Sequence, residues 1–278
     1  VIVTITETAP GGSRYSSDWH LTGTKAYSLA EADENLAPLV VSSVEELIEK
    51  MSSGFHFHHG YGPSKIETTV QRLDRGEYHP RVYRDAQPSG LPDLNPPARA
   101  DAMRHLTMLF SDTQDVFQVI YPDQDNLKVY GDRIRQLLML CSMEVESHLA
   151  SALKENGYKA QGNLTITDFK KVEPFLGLSR YGIFIPQFPL IEKRLPFADF
   201  AKKTPSWWKA YNAVKHDREG CLKSATVEML LDALAAVAVV CYAQFGTAGP
   251  LQITFEGLST GGVYYPSLDG VWTPRPYF

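Results

Sequence analysis

The stretch Trp207-Trp208-Lys209-Ala210-Tyr211-Asn212-Ala213-Val214-Lys215-His216-Asp217-Arg218 decides how this chain reads. It follows Thr204-Pro205-Ser206, a helix start in which proline is tolerated in the first turn. In the helix this predicts over residues 207–216, Trp208, Asn212 and His216 are spaced by four and share one face. Tyr211 and Lys215 share the adjacent face. Lys215 and His216 fall in the last turn, where the helix dipole favours cations, and Arg218 adds another cation just beyond.

Helical periodicity continues on both sides of this segment. Residues 127–156 carry Ile134, Leu138, Cys141, Val145, Leu149 and Ala152 at three- and four-residue steps, one apolar stripe closed by Asn156-Gly157. Arg135, Ser142 and Glu146 flank that stripe on one side; Arg133, Glu144 and His148 flank it on the other. Residues 98–110 repeat the spacing through Met103, Leu106 and Phe110, and residues 117–121 read as extended. A short helix capped by Thr167 and an aromatic, proline-broken loop over residues 181–196 follow. The last long helix covers residues 226–245 and stops at Gly246.

The expected fold class is therefore mainly α: a helical bundle over residues 98–246, a smaller α+β or irregular N-terminal region over residues 1–97, and a tail over residues 247–278. Within the first region, Val1-Ile2-Val3-Thr4-Ile5-Thr6 alternates like a strand. Ser42-Ser43 with acids in the following turn starts a helix over residues 41–51. Residues 55–59 read as a strand, and residues 74–97, rich in Pro, Gly, Asp and Arg, as a linker.

Composition narrows the function classes. Of 278 residues, 44% are hydrophobic and 21% charged, so a packed core is expected. A net charge of -5 excludes a broad nucleic-acid-coating surface but leaves room for a local site. The cysteines Cys141, Cys221 and Cys241 form no disulfide framework, and as buried thiols suit the reducing cytoplasm. The N-terminal residues lack the basic region of a signal peptide, and the apolar run over residues 229–245, interrupted by Asp232, reads as a buried helix with no membrane partner.

Tyr211-Asn212-x-x-x-His216, set between a long helix and a final alanine-rich one, resembles the HEPN superfamily (higher eukaryote and prokaryote nucleotide-binding domains). That resemblance implies a small helical bundle, often a homodimer, and in many members a metal-independent endoribonuclease of defence or toxin systems. The motif is an arginine, often followed by a polar residue such as asparagine, and a histidine four to six residues on. Asn212 and His216 match; Tyr211 stands where the arginine belongs. More closely, residues 98–246 are similar to a group of uncharacterised bacterial proteins. The segments that carry this are Ile134-Arg135-Gln136-Leu137-Leu138, Glu144-Val145-Glu146, Tyr211-Asn212-Ala213-Val214-Lys215-His216-Asp217-Arg218-Glu219 and Ala243-Gln244-Phe245-Gly246.

Two functions follow. In the first, RNA is the partner: His216 transfers the proton, Asn212 positions the phosphate, and Arg218 with Lys215 stabilises charge. Tyr211 and Trp208 then contact substrate, with Glu144, Glu146 and Arg135 in support. In the second, the domain is non-enzymatic, has lost the catalytic arginine, and binds a partner protein. A capping role for His216 on its helix's terminal carbonyls, a packing role for Trp207, Trp208 and Tyr211, and surface ion pairing for Lys215, Asp217 and Arg218, are the plainer alternatives. No cofactor is expected, since Gly60-x-Gly62 and Gly261-Gly262 lack the strand–glycine–helix setting of a phosphate loop. His56, His58 and His59, with His79 or His20, lack the paired spacing of a zinc site, so no metal is expected either.

Overall fold

The computed structural model describes residues 2–8, 14–22, 25–28, 39–53, 65–71, 81–82, 96–246, 249 and 251–255. The chain divides into two units, residues 1–78 with 87–100, and residues 79–86 with 101–278. It is mainly helical.

The first unit is a five-stranded antiparallel sheet with one helix. Its strands are β1 (Ile2–Thr8), β2 (Arg14–Thr22), β3 (Lys25–Ser28), β4 (Leu39–Val40) and β5 (Lys65–Gln71), in the order β4-β3-β2-β1-β5. Helix α1 (Val44–Ser53) carries Leu47 into a core of Val3, Trp19, Ala26 and Val41. Register explains the cluster: Val3 lies opposite Trp19, and Leu21, two residues on and so on the same face, lies opposite Ala26. At the start of α1, Ser43 Oγ accepts the Glu46 N–H (3.1 Å), while the Glu46 carboxylate accepts Ser42 N–H and Oγ–H at 2.7 Å each. The expected strand over residues 55–59, the histidines His56, His58, His59 and His79, and most of the expected linker lie outside the described residues.

The second unit is built on three long helices. Helix α2 (Pro96–Val116) belongs to it from Asp101 onward, and α3 (Asp132–Glu155) follows. Short turns α4 (Ile166–Phe169) and α5 (Glu173–Leu176) lead to strand β6 (Tyr181–Phe184). Helices α6 (Ser206–His216), α7 (Arg218–Cys221) and α8 (Val227–Phe245) then precede β7 (Gln252–Phe255). Helix α8 is apolar on every side and is buried accordingly. It is long and apolar enough to cross a membrane, yet most of it lies inside this unit. Helix α3 packs along it, and α6 rests against both. All six stripe residues of α3 are buried.

Three local expectations are corrected. Residues 117–120 are not extended: their N–H groups bond to Gln114, Asp115 and Val116 carbonyls at 3.0–3.3 Å, continuing the α2 spiral. Burial has no period of two there, since Phe117 packs on Phe188 (4.5 Å) while Val119 is 85% exposed. Helix α3 starts at Asp132, not residue 127, because Val129 accepts the Val227 N–H (2.8 Å), Tyr130 bridges Thr226, and Gly131 is extended. The short helix is capped by Thr165 rather than Thr167, with Asp168 returning the bond at 2.9 Å. Within the proline-broken loop and the tail, β6 and β7 pair antiparallel, Ile183 opposite Ile253.

Arg194 fastens this corner to α8. Its backbone exchanges two 2.8 Å bonds with Ile183, and its Nε donates to Asp232 (2.7 Å). Burial pushes the Asp232 carboxyl above its usual range even against the pull of Arg194. Removing the guanidinium leaves that carboxylate buried without a counter-ion. Arg194→Met is expected to lose about 3–5 kcal/mol in urea denaturation, and adding Asp232→Leu to restore most of it.

Glu46 supplies a pH test of the first unit. The Ser42 bonds, and Lys50 after them, pull its carboxyl from 4.5 down to about 2. Because the folded value is the lower one, the tether is at full strength above the ordinary carboxylate range and is lost as pH falls toward 2. An NMR titration is expected to show the Ser42 amide moving with that low midpoint, and Glu46→Gln to abolish the transition.

Candidate functional site

Helix α6 is positioned by its aromatic face. Trp207 donates its indole N–H to the Pro196 carbonyl (2.8 Å) and meets the Phe197 ring edge-on. Trp208 lies edge-to-face with Phe169 (5.6 Å), Trp207 (5.3 Å) and Tyr211 (6.1 Å). Trp208 is 4% exposed and Tyr211 1%, so neither ring has a free face to offer a base. Their expected substrate contact gives way to packing, with Trp208 set against Phe169 of α4 and against the rings of Trp207 and Tyr211.

The polar side of α6 is tied to α3 through one hydroxyl. Tyr211 Oη donates to Glu146 Oε2 (3.2 Å) and accepts from Lys215 Nζ (3.0 Å), whose ammonium sits 4.9 Å from the ring centre. Burial raises the tyrosine's pKa, and the hydrogen bond to Tyr211 raises that of Lys215. At neutral pH this leaves a charged lysine and a neutral phenol beside the Glu146 carboxyl group. Asn212 turns its amide N–H back to the Trp208 carbonyl (3.1 Å).

The chain reverses just after the motif. Asp217 N–H bonds to the Ala213 carbonyl (2.9 Å), ending α6, and the Asp217 carboxylate accepts Gly220 N–H (2.8 Å), opening α7. His216 stands at this corner, exposed, and among the described residues its ring has no hydrogen-bond or ion-pair partner. Arg218, also exposed, reaches Asp132 Oδ1 at 3.4 Å.

The two glutamates of α3 separate. Glu146 meets α6 as described. Glu144 faces the other way: its Oε1 accepts His105 Nδ1–H (3.0 Å) and lies 3.3 Å from His148 Nε2, which is 3.8 Å from the Cys241 thiol. Hydrogen bonding to His148, then to His105, holds its carboxyl below the usual range. Glu144 thus joins α2 to α3, with His148 leading on to Cys241 of α8, and has no part in the motif. Among the described residues no group of three or more His, Cys, Asp or Glu side chains is arranged to hold a metal ion. Arg135, on the Glu146 flank of α3, is half-buried beside Asp132 (3.6 Å) and donates to Met139 Sδ (3.3 Å).

Sequence reasoning brought together Tyr211, Asn212, Lys215, His216, Arg218 and Glu146. It missed Asp132, which joins Arg135 to Arg218, and the His105–Glu144–His148 relay. The only available signal was the four-residue step from Glu144 to His148.

The Tyr211 hydroxyl links both helices, and deleting it leaves Glu146 without that donor. Tyr211→Phe, which keeps the ring, is expected to lose about 1–2 kcal/mol in urea denaturation.

No protein-family model, no curated protein and no solved structure matches this chain.

Proposed function

We propose that this chain is an RNA-directed protein of HEPN type, acting in the cytoplasm of a bacterial defence or toxin system, that cleaves RNA without a metal ion. The observation that carries the reading is the free imidazole of His216. Its neighbours are engaged, Lys215 with Tyr211, Asp217 with Gly220 and Arg218 with Asp132, while the exposed His216 ring has no hydrogen-bond or ion-pair partner among the described residues. A general base needs that access.

The chemistry is transfer within one nucleotide. His216 takes the proton of a ribose 2′-hydroxyl, the 2′-oxygen attacks the adjacent phosphorus, and the bond to the next nucleotide's 5′-oxygen breaks, that oxygen taking a proton from water. The products are a 2′,3′-cyclic phosphate and a 5′-hydroxyl. Arg218 and Lys215 supply positive charge for the phosphorane oxygens, with Asn212 one turn back. A homodimer that brings two α6 ends together belongs to the same proposal.

A second reading has its own support. Tyr211, at the place of the family's arginine, is a buried link to Glu146 and Lys215, which suits a domain that kept the shape and binds a partner protein without chemistry.

The deciding assay is cleavage of a labelled RNA pool in EDTA by the wild type and by His216→Ala. Cleavage to cyclic-phosphate ends, slowed at least about 100-fold in the variant, supports the ribonuclease. Intact RNA with both folded proteins supports the second reading.

A further inference from the structure

Arg135 carries a charge that its surroundings do not satisfy. The side chain is only 12% exposed, and its Nε is buried with no hydrogen-bond partner. A guanidinium has five N–H donors. Among the described residues its polar partners are a thioether, Met139 Sδ at 3.3 Å, and Asp132 Oδ1 at 3.6 Å. A half-buried cation left with a weak sulfur acceptor and a distant carboxylate is costly unless an anion completes it.

The same carboxylate oxygen serves a second arginine. Asp132 Oδ1 lies 3.4 Å from Arg218 Nη2, so two guanidiniums from α3 and α7 converge on one oxygen. Both distances exceed the roughly 2.7–2.9 Å of a charge-assisted bond. Asp132 is itself 60% exposed and free to swing away. A Cβ built on Gly131 would touch nothing within 4 Å, so the approach is open on that side.

We infer that Arg135 and Arg218 form a phosphate-binding fork that Asp132 occupies at rest. Asp132 presents the same oxygen, Oδ1, to both arginines. A phosphate group placed there can turn one non-bridging oxygen to each guanidinium, and displaces the aspartate. Arg218 lies two residues beyond His216, so in the RNA reading, on which the identity of the ligand rests, the fork holds a backbone phosphate of the substrate.

The test separates this fork from cleavage. Binding of a 5′-hydroxyl, fluorescently labelled oligoribonucleotide is followed by anisotropy over a salt series, and inorganic phosphate binding by calorimetry. Arg218→Ala is expected to weaken RNA binding about 5- to 10-fold and lower the salt slope by about one. Arg135→Lys, which keeps the charge but not the planar fork, is expected to weaken it as well. Asp132→Asn is expected to tighten binding about 3- to 5-fold by removing the resting occupant. Asp199→Asn, the same charge change at an exposed position paired with Lys203, and Arg104→Ala are expected to leave affinity unchanged.

Tightening by Asp132→Asn is the decisive sign, because a merely structural aspartate would not produce it. If inorganic phosphate alone binds, with the same order of variants, the fork stands and the RNA reading falls. If neither probe responds to Asp132, Arg135 and Arg218, the fork is overturned, even where RNA is cut at His216.

Discussion

Helix α8 is apolar around its whole circumference, and that single constraint orders the second unit. Such a helix is stable in water only when every side is covered. Helix α3 covers one side with its apolar stripe, α6 another with Ala210 and Val214 among its buried residues, and the β6 corner a third. Polar groups on α8 meet partners on other elements: Asp232 with Arg194, Cys241 beside His148, Gln244 Oε1 accepting from Arg81. These pairs fix rotation and register, which apolar contact alone leaves loosely defined.

Once α8 is covered, the end of α6 has little choice of direction. The Trp207 indole is bound to the preceding loop, Trp208 packs on Phe169, and Tyr211 binds α3 through its hydroxyl. His216 comes one turn later, where the chain has already left the packed interior. Its exposure is thus a consequence of how the tryptophans and Tyr211 are buried. The same geometry brings Arg218 over the head of α3 and onto Asp132.

Much of the helical architecture was legible because its signals are local. The α3 stripe, the Gly246 stop of α8, and the limits of α6 each depend on residues within a few turns. The pairing of β6 with β7 was not, since it joins segments some seventy residues apart and one of them reads as an aromatic loop. Glu144 and Glu146 were recognised as lying on opposite flanks, about 200° apart around the helix. Which flank meets α6 depends on how α3 is rotated against α8, and one sequence does not encode that separately. Tyr211 was ambiguous for a chemical reason: a phenol can serve a surface or a core, and here Glu146 satisfies it inside. Residues 117–120 misled because β-branched and aromatic side chains suit strands, whereas the preceding helix simply continues.

The three thiols differ sharply in reach. Cys141 and Cys241 are fully buried, and burial raises both thiols far above the reactive range, whereas Cys221 is partly open beside Asp217. A maleimide dye or spin label added to the native protein therefore attaches at one place, five residues past His216. No engineered cysteine is required to report on that corner. The two shielded sulfurs serve the opposite purpose: they become available to alkylation only when α3 and α8 come apart, so their modification rate times the opening of the core.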